Sequence, residues 1–238
     1  MAKNILKLLL IFILGAIGGV WGSYFLAPYL STYFSLSPSF LNCPIYVTKT
    51  EKLYIRENLA LKQGIEKVEN SLFGIVTETK GKKVLKGFGV ILTADGLAVT
   101  LAELVPKDFK IKLYLGEKEI KNYKIIKRDL NKNLALIEFE TKKALPTVSF
   151  KNMEDLYLGE RVFLLGFLLK KDELQKFVNE GIVNSLQKDS FEINIFDKKA
   201  KGAPLFDIEG NLIGISELKK EGKLSIISIS EIKRFASI

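Results

Sequence analysis

The stretch Asp197–Ser216, DKKAKGAPLFDIEGNLIGIS, contains a well-formed hairpin behind an unusual entrance. Pro204-Leu205-Phe206 runs into the turn residues Asp207 and Glu209-Gly210-Asn211, and Leu212-Ile213-Gly214-Ile215 returns. A tight glycine-containing turn placed just before such a hairpin is where a reactive side chain can be presented. Here Lys201 stands in that turn, with Lys198 and Lys199 before it.

Composition limits what those lysines can do. The chain of 238 residues is 47% hydrophobic and contains no histidine, which excludes every mechanism that needs an imidazole base or an imidazole metal ligand. A single cysteine, Cys43, gives neither an internal disulfide nor a thiolate cluster, and it reads as a bystander in a linker. No cofactor is expected. The net charge of +9 comes from lysines spread through nearly every segment, as in FKIKLYL over Phe109–Leu115. With no nucleic-acid motif to accompany them, they predict a solvated surface and no nucleic-acid partner.

Leu8–Leu30 carries no charge and exceeds the roughly 20 residues that span a bilayer, so it predicts a single transmembrane helix. Lys3 and Lys7 precede it and the next charge is Lys49, which places tail 1–7 in the cytoplasm and the rest outside. Gly15 with Gly19, and Gly18 with Gly22, have the spacing that lets two helices approach, so a homo-oligomer is compatible with the sequence. Residues 31–54 read as a stalk or linker.

The texture then becomes that of a folded domain over 55–238. Arg56–Glu69 has helical spacing in Leu59, Leu61, Ile65 and Val68. From Leu72 the pattern is many short strands, with turns at Lys80-Gly81-Lys82, Ala94-Asp95-Gly96 and Gly116-Glu117. A break near Leu145–Asp155 divides them into two small β-barrels, about 71–145 and 156–229, and a short helix follows at about 230–236. The predicted class is mainly β, two six-stranded-type barrels.

The order of segments resembles the trypsin-like serine proteases, in particular the HtrA (Deg) protease domain, over Leu59–Phe235. GFGVILTADGLAVTLAELV from Gly87 is similar to the family's stretch around the histidine base. RDLNKNLALIEF from Arg128 is similar to the strand around its aspartate. LGERVFLLG from Leu158 and GIVN from Gly181 follow in order, and KAKGAPLFDIEGNLIGI from Lys199 stands where the family has its nucleophile loop and hairpin. The resemblance implies a trypsin-like fold. It also implies that the PDZ domain which often follows is absent, since the sequence stops at Ile238.

The departures fall on the chemistry. By motif the base position is Glu103, the orienting-acid position is Asn133 and the nucleophile position is Lys201, so all three members of the triad are replaced. The loop that would supply oxyanion amides reads Lys199, Ala200, Lys201, Gly202, Ala203, with only Gly202 keeping a family glycine. Side chains at Lys199 and Ala203 would be strained if the backbone kept the family's dihedrals. If the two barrels meet as the resemblance implies, Glu103 and Lys201 face each other and form an ion pair.

These readings predict an inactive homologue of a serine endopeptidase, anchored in a bacterial cytoplasmic membrane, that binds a peptide or an envelope protein such as an active protease. Two alternatives remain. One is an active serine-type peptidase in which Lys201 serves as base for Ser216, Ser225 or Ser228. The other is a lysine-rich module contacting anionic lipid or cell-wall polymer. The run Asp129, Asn131, Asn133, Glu140 imitates a calcium loop, but Leu134 stands where such a loop needs glycine, so no metal is expected. Nothing in the sequence groups two carboxylates for glycosidase chemistry.

Overall fold

The computed structural model describes residues 2–26, 57–78, 84–170, 173–187, 190–219 and 224–238. The linker 31–54, Cys43, the Lys80-Gly81-Lys82 turn and the last four residues of the expected span lie outside them. The chain divides into two units, Met1–Tyr54 and Ile55–Ile238.

In the first unit, α1 (Ala2–Trp21) continues into a π-helical turn, Gly22–Leu26. Lys7–Leu26 has a mean hydropathy of 2.0 and none of it is buried. By length and composition it is able to cross a bilayer, a test that a signal sequence also passes.

The second unit begins with α2 (Glu57–Val68), extended by a 3-10 turn through Ser71. Two seven-stranded sheets follow. The first joins β1 (Leu72–Glu78), β2 (Val84–Ile91), β3 (Leu97–Leu101), β4 (Lys110–Leu115), β5 (Lys118–Ile120), β6 (Tyr123–Asp129) and β7 (Leu134–Phe139) in the order β5-β4-β1-β2-β3-β7-β6. The second joins β9 (Arg161–Lys170), β10 (Glu173–Leu186), β11 (Phe191–Ile193), β12 (Pro204–Asp207), β13 (Asn211–Leu218) and β14 (Leu224–Ser228) in the order β11-β10-β9-β12-β13-β14, with the two-residue β8 (Ser149–Phe150) on β13. All pairings are antiparallel except that of β8 with β13. Each sheet curls into a half-barrel, giving a mainly β, trypsin-like fold.

Period-two patterning builds the cores. In β1, Phe73, Ile75 and Thr77 are buried, while Gly74 and Val76 are half-buried and Glu78 is exposed. The buried Thr77 hydroxyl donates to Leu104 O at 2.6 Å, and that of Thr100 to Phe88 O at 2.7 Å, so neither is left unpaired. In the second barrel β12 is buried along its whole length, and Phe163 and Phe206 stack with centroids 5.4 Å apart. Each such side chain contributes about 1.5–3 kcal/mol by its burial.

Helices fasten the strands. Gly64 lets α2 approach the β12–β13 turn: a Cβ there would stand 2.5 Å from Ile208 O. Lys67 Nζ donates to Glu209 O at 3.0 Å, and Glu69 pairs with Lys176 of β10 at 2.6 Å. α3 (Ile229–Ala236) is capped by Ser228 Oγ and buries Ile229, Ile232 and Phe235. Lys127 of β6 donates to Phe235 O at 3.0 Å, which ties α3 to the first barrel.

Candidate functional site

The segment 102–104 after β3 is one 3-10 turn carrying Glu103. It is held by β6 and the loop after it: Ala102 N donates to Asn133 O at 3.0 Å, and Arg128 Nε of β6 donates to Ala102 O at 3.0 Å. That loop is shaped by Asp129 Oδ1, which accepts from the amides of Asn131 and Lys132 at 2.8 and 3.1 Å. Asp129 thus acts as a turn-former. Asn133 closes the loop with φ of +51°, a left-handed conformation that asparagine tolerates better than most side chains.

Lys201 arrives from the second barrel. Its turn is closed by Gly202 N donating to Ser216 O at 2.9 Å and by Ala203 N donating to Ala200 O at 3.0 Å. The Ser216 hydroxyl, fully buried, donates to Ala200 O and, at 2.9 Å, to Ala203 O. Phe88 N of β2 donates to Lys201 O at 3.2 Å, a backbone bond between the barrels. Gly202 has φ of +75°, and a Cβ there would stand 2.5 Å from Phe88 O, so no other residue fits. The strain expected at Lys199 and Ala203 does not arise, because Gly202 is the only residue of this turn with a positive φ. The loop has been rebuilt with ordinary dihedrals at both.

Glu103, Asn133 and Lys201 come together. Lys201 Nζ lies 2.6 Å from Glu103 Oε2, with the side chains 20% and 37% exposed. Asn133 Oδ1 accepts from Glu103 N at 3.1 Å, and Asn133 Nδ2 reaches Glu103 Oε1 at 3.3 Å. The same Nδ2 donates at 2.7 Å to Glu217 Oε1 on β13, a residue that motif reading did not single out. The result is a chain of polar contacts, Lys201 to Glu103 to Asn133 to Glu217, crossing from one barrel to the other and back. Its formal charge is −1.

These contacts determine what the arrangement can do. In a Ser-His-Asp triad the orienting acid accepts a proton donor from the base. Here the polarity is reversed, since Asn133 donates to a carboxylate. The group at 201 is an ammonium, which has donors only and no lone pair to attack a carbonyl. The proposed oxyanion amides also have a competitor: Lys199 N donates to Asp197 Oδ1 at 2.8 Å, and Asp197 Oδ2 accepts from Asn179 Nδ2. Preorganised donors aimed at the developing charge are what such a hole requires.

Two of the three serines considered as alternatives are otherwise engaged. Ser216 is buried and bonded to its own turn, and Ser228 caps α3. Ser225 is half-buried on β14 opposite Glu217, beside a small hollow of about 60 Å³ lined by Phe191, Ile193, Lys219, Leu224 and Ile226. Beside it, β12 ends at Pro204 opposite Ile215, whereas Glu217 and Leu218 continue along β14. Among the described residues no strand pairs with the other edge of that stretch.

Residues 87–215 match the family model described as a trypsin-like peptidase domain. Serine protease HTRA1 of Xenopus tropicalis is 29% identical over 163 residues, covering 63% of this chain and 35% of that protein. Serine protease HTR4 of Rattus norvegicus is 30% identical over 165 residues, covering 63% and 33%. Mitochondrial serine protease HTRA2 of Bos taurus is 25% identical over 155 residues, covering 60% and 33%. The chain therefore spans about a third of the length of these relatives. The match runs from Gly87 in β2 to Ile215 in β13, and so takes in Glu103, Asn133 and Lys201 together with the strands that position them. By that match and by its two half-barrels, the chain belongs to the trypsin-like peptidase domain family.

Proposed function

We propose that this protein is a trypsin-fold pseudoprotease, anchored by its N-terminal apolar helix to a bacterial cytoplasmic membrane, that binds an extended peptide or partner protein outside that membrane without cleaving it. The observation that carries this reading is the Lys201–Glu103 ion pair at 2.6 Å, joined to Asn133, at the positions where the resemblance puts nucleophile, base and orienting acid. A cation and a carboxylate that neutralise each other leave no nucleophile to activate. The one-sided stretch of β13 at Glu217–Leu218 supports binding without chemistry, because an extended peptide adds to a strand edge through its backbone and needs no triad. The partner is a peptide segment of an envelope protein, an active protease being one such protein.

The test is direct. The purified full chain in detergent should take no label from a serine-directed fluorophosphonate and should not turn over casein or short esters. Turnover that disappears in Lys201→Ala would overturn the reading.

A further inference from the structure

The net positive charge of the folded unit is confined to one barrel. Residues 72–148 contain 15 Lys and Arg against nine Asp and Glu, whereas residues 149–238 contain 14 of each. Within the first barrel the excess gathers on β6, an outermost strand of its sheet, and on the turns at its two ends. Over 121–132 five basic residues stand against a single acid, Asp129, which is bonded to its own turn. The carboxylates facing this strand are Glu138 of β7, opposite Lys124, Glu140, 3.0 Å from Lys124 Nζ, and Glu119 of β5, whose charge acts on Tyr123. They leave the edge with a net charge of +1.

Lysines on an outermost strand are one means of preventing it from pairing with another chain. That role does not account for the apolar residues set among them. Ile126, where the register with β7 shifts, is 53% exposed, and Leu130 in the following turn is 65% exposed, while Lys121, Lys124 and Lys132 around them are exposed as well. Exposed aliphatic side chains interleaved with lysines fit a surface that is apolar beneath and anionic above. The chain also carries a helix long and apolar enough to cross a bilayer, 30 residues before α2. A connection of that length reaches at most about 100 Å when extended, which keeps the domain at high effective concentration beside the bilayer.

We propose that the β6 edge of the first barrel, through Lys121, Ile126, Leu130 and Lys132, docks on the anionic lipid surface of the membrane in which the chain is anchored. Ile126 and Leu130 enter the headgroup region while the lysines meet lipid phosphates. This surface adjoins the Glu103–Lys201 site through the loop of Asp129–Asn133, in which Leu130 and Lys132 precede Asn133, but docking requires neither Glu103 nor Lys201.

The experiment uses the full chain reconstituted in vesicles, with Cys43→Ser and one introduced cysteine carrying an environment-sensitive fluorophore. The label is placed at Ile126→Cys or, as a control on the second barrel, at Tyr157→Cys, where the native side chain is 61% exposed. With lipid-borne quencher in phosphatidylcholine containing phosphatidylglycerol, the 126 label is quenched and the 157 label is not. Quenching at 126 is lost in phosphatidylcholine alone and at about 1 M salt, where the Debye length is about 3 Å. Lys121→Gln and Lys132→Gln each reduce the docked fraction's equilibrium about fivefold. Equal quenching at both positions, no quenching at 126 with the anionic lipid, or protection of 126 by a soluble anionic polymer without lipid quenching overturns the proposal.

Discussion

Two lysine–carboxylate clusters in this domain look alike in a list of charges and differ in physics. Lys201 and Glu103 meet at the junction of the barrels, with side chains 20% and 37% exposed. Lys151 lies within the second barrel, 2.8 Å from Glu160 and 3.5 Å from Asp207, and those carboxylates are only 5% and 3% exposed. The inner carboxylates also accept from neutral donors. Asp207 accepts from the amides of Glu209 and Asn211 and from Asn211 Nδ2, and Glu160 accepts from Tyr157 N. The inner cluster is therefore committed to the fold, joining the segment after β8, the turn before β9 and the hairpin of β12 and β13. The outer pair is wetter and makes fewer bonds, so the fold is expected to depend on it less.

The largest effect should come from the inner cluster. Lys151→Ala strands two buried carboxylates without a cation and should cost about 3–5 kcal/mol of unfolding free energy, measured by urea denaturation followed by circular dichroism. Burial works to lower the Lys151 pKa, but the hydrogen bond and charge of Glu160, with Asp207 behind them, outweigh it and hold the value above the ordinary 10.5. A raised folded-state value means that the contribution is complete below about pH 10.5 and is lost as pH climbs through that higher value. The stability gap between the wild type and Lys151→Met should accordingly narrow in strong alkali. A gap that widened would show that the cluster does not hold a charged lysine.

Next in size is the turn that presents Lys201. Gly202→Ala forces a side chain into a left-handed conformation costing about 1–3 kcal/mol and presses a methyl group to 2.5 Å from Phe88 O. The same change should weaken the Phe88 N to Lys201 O bond between the barrels, visible as faster amide exchange at Phe88. Unchanged exchange would mean that the barrels are held in register elsewhere.

Much of this was legible beforehand, and the limits are physical. The hairpin after Pro204 and the division into two barrels follow from period-two patterning and turn residues, which are local. Glu103, Asn133 and Lys201 came from motif position, and the structure brings them together. Glu217 did not, because its neighbour Asn133 is 84 residues away and the strand around it reads as any half-buried strand. Asp197 was legible in principle: an Asp two residues before Lys199 is an Asx-turn signal, and its carboxylate does accept that amide. The inner cluster gave no signal, since an isolated Glu160 before a hydrophobic strand looks like a surface residue until burial is known.

A smaller effect is expected at the outer pair. Glu103→Ala, Lys201→Ala and the double variant form a cycle whose coupling should be roughly 0–1 kcal/mol, well below the cost at Lys151. A coupling near that of a buried pair would erase the contrast between the clusters and make the pair a structural clasp.

The smallest expected effect is none. Glu103→His, Asn133→Asp and Lys201→Ser together reinstate the three groups of a triad, yet fluorophosphonate labelling should stay at background. The reason lies in the loop: the amide of Lys199 is already bonded to Asp197 Oδ1, and Ala200 is fully buried with its carbonyl accepting from Ser216 Oγ. A hydroxyl at 201 would have its base without the aligned donors that stabilise an oxyanion, and those donors contribute about 10²–10³ in rate where they have been removed singly. Labelling of the triple variant would show that the side chains alone had silenced the site. Its absence, followed by labelling once Asp197→Ala is added, would assign the silence to the loop as much as to the triad.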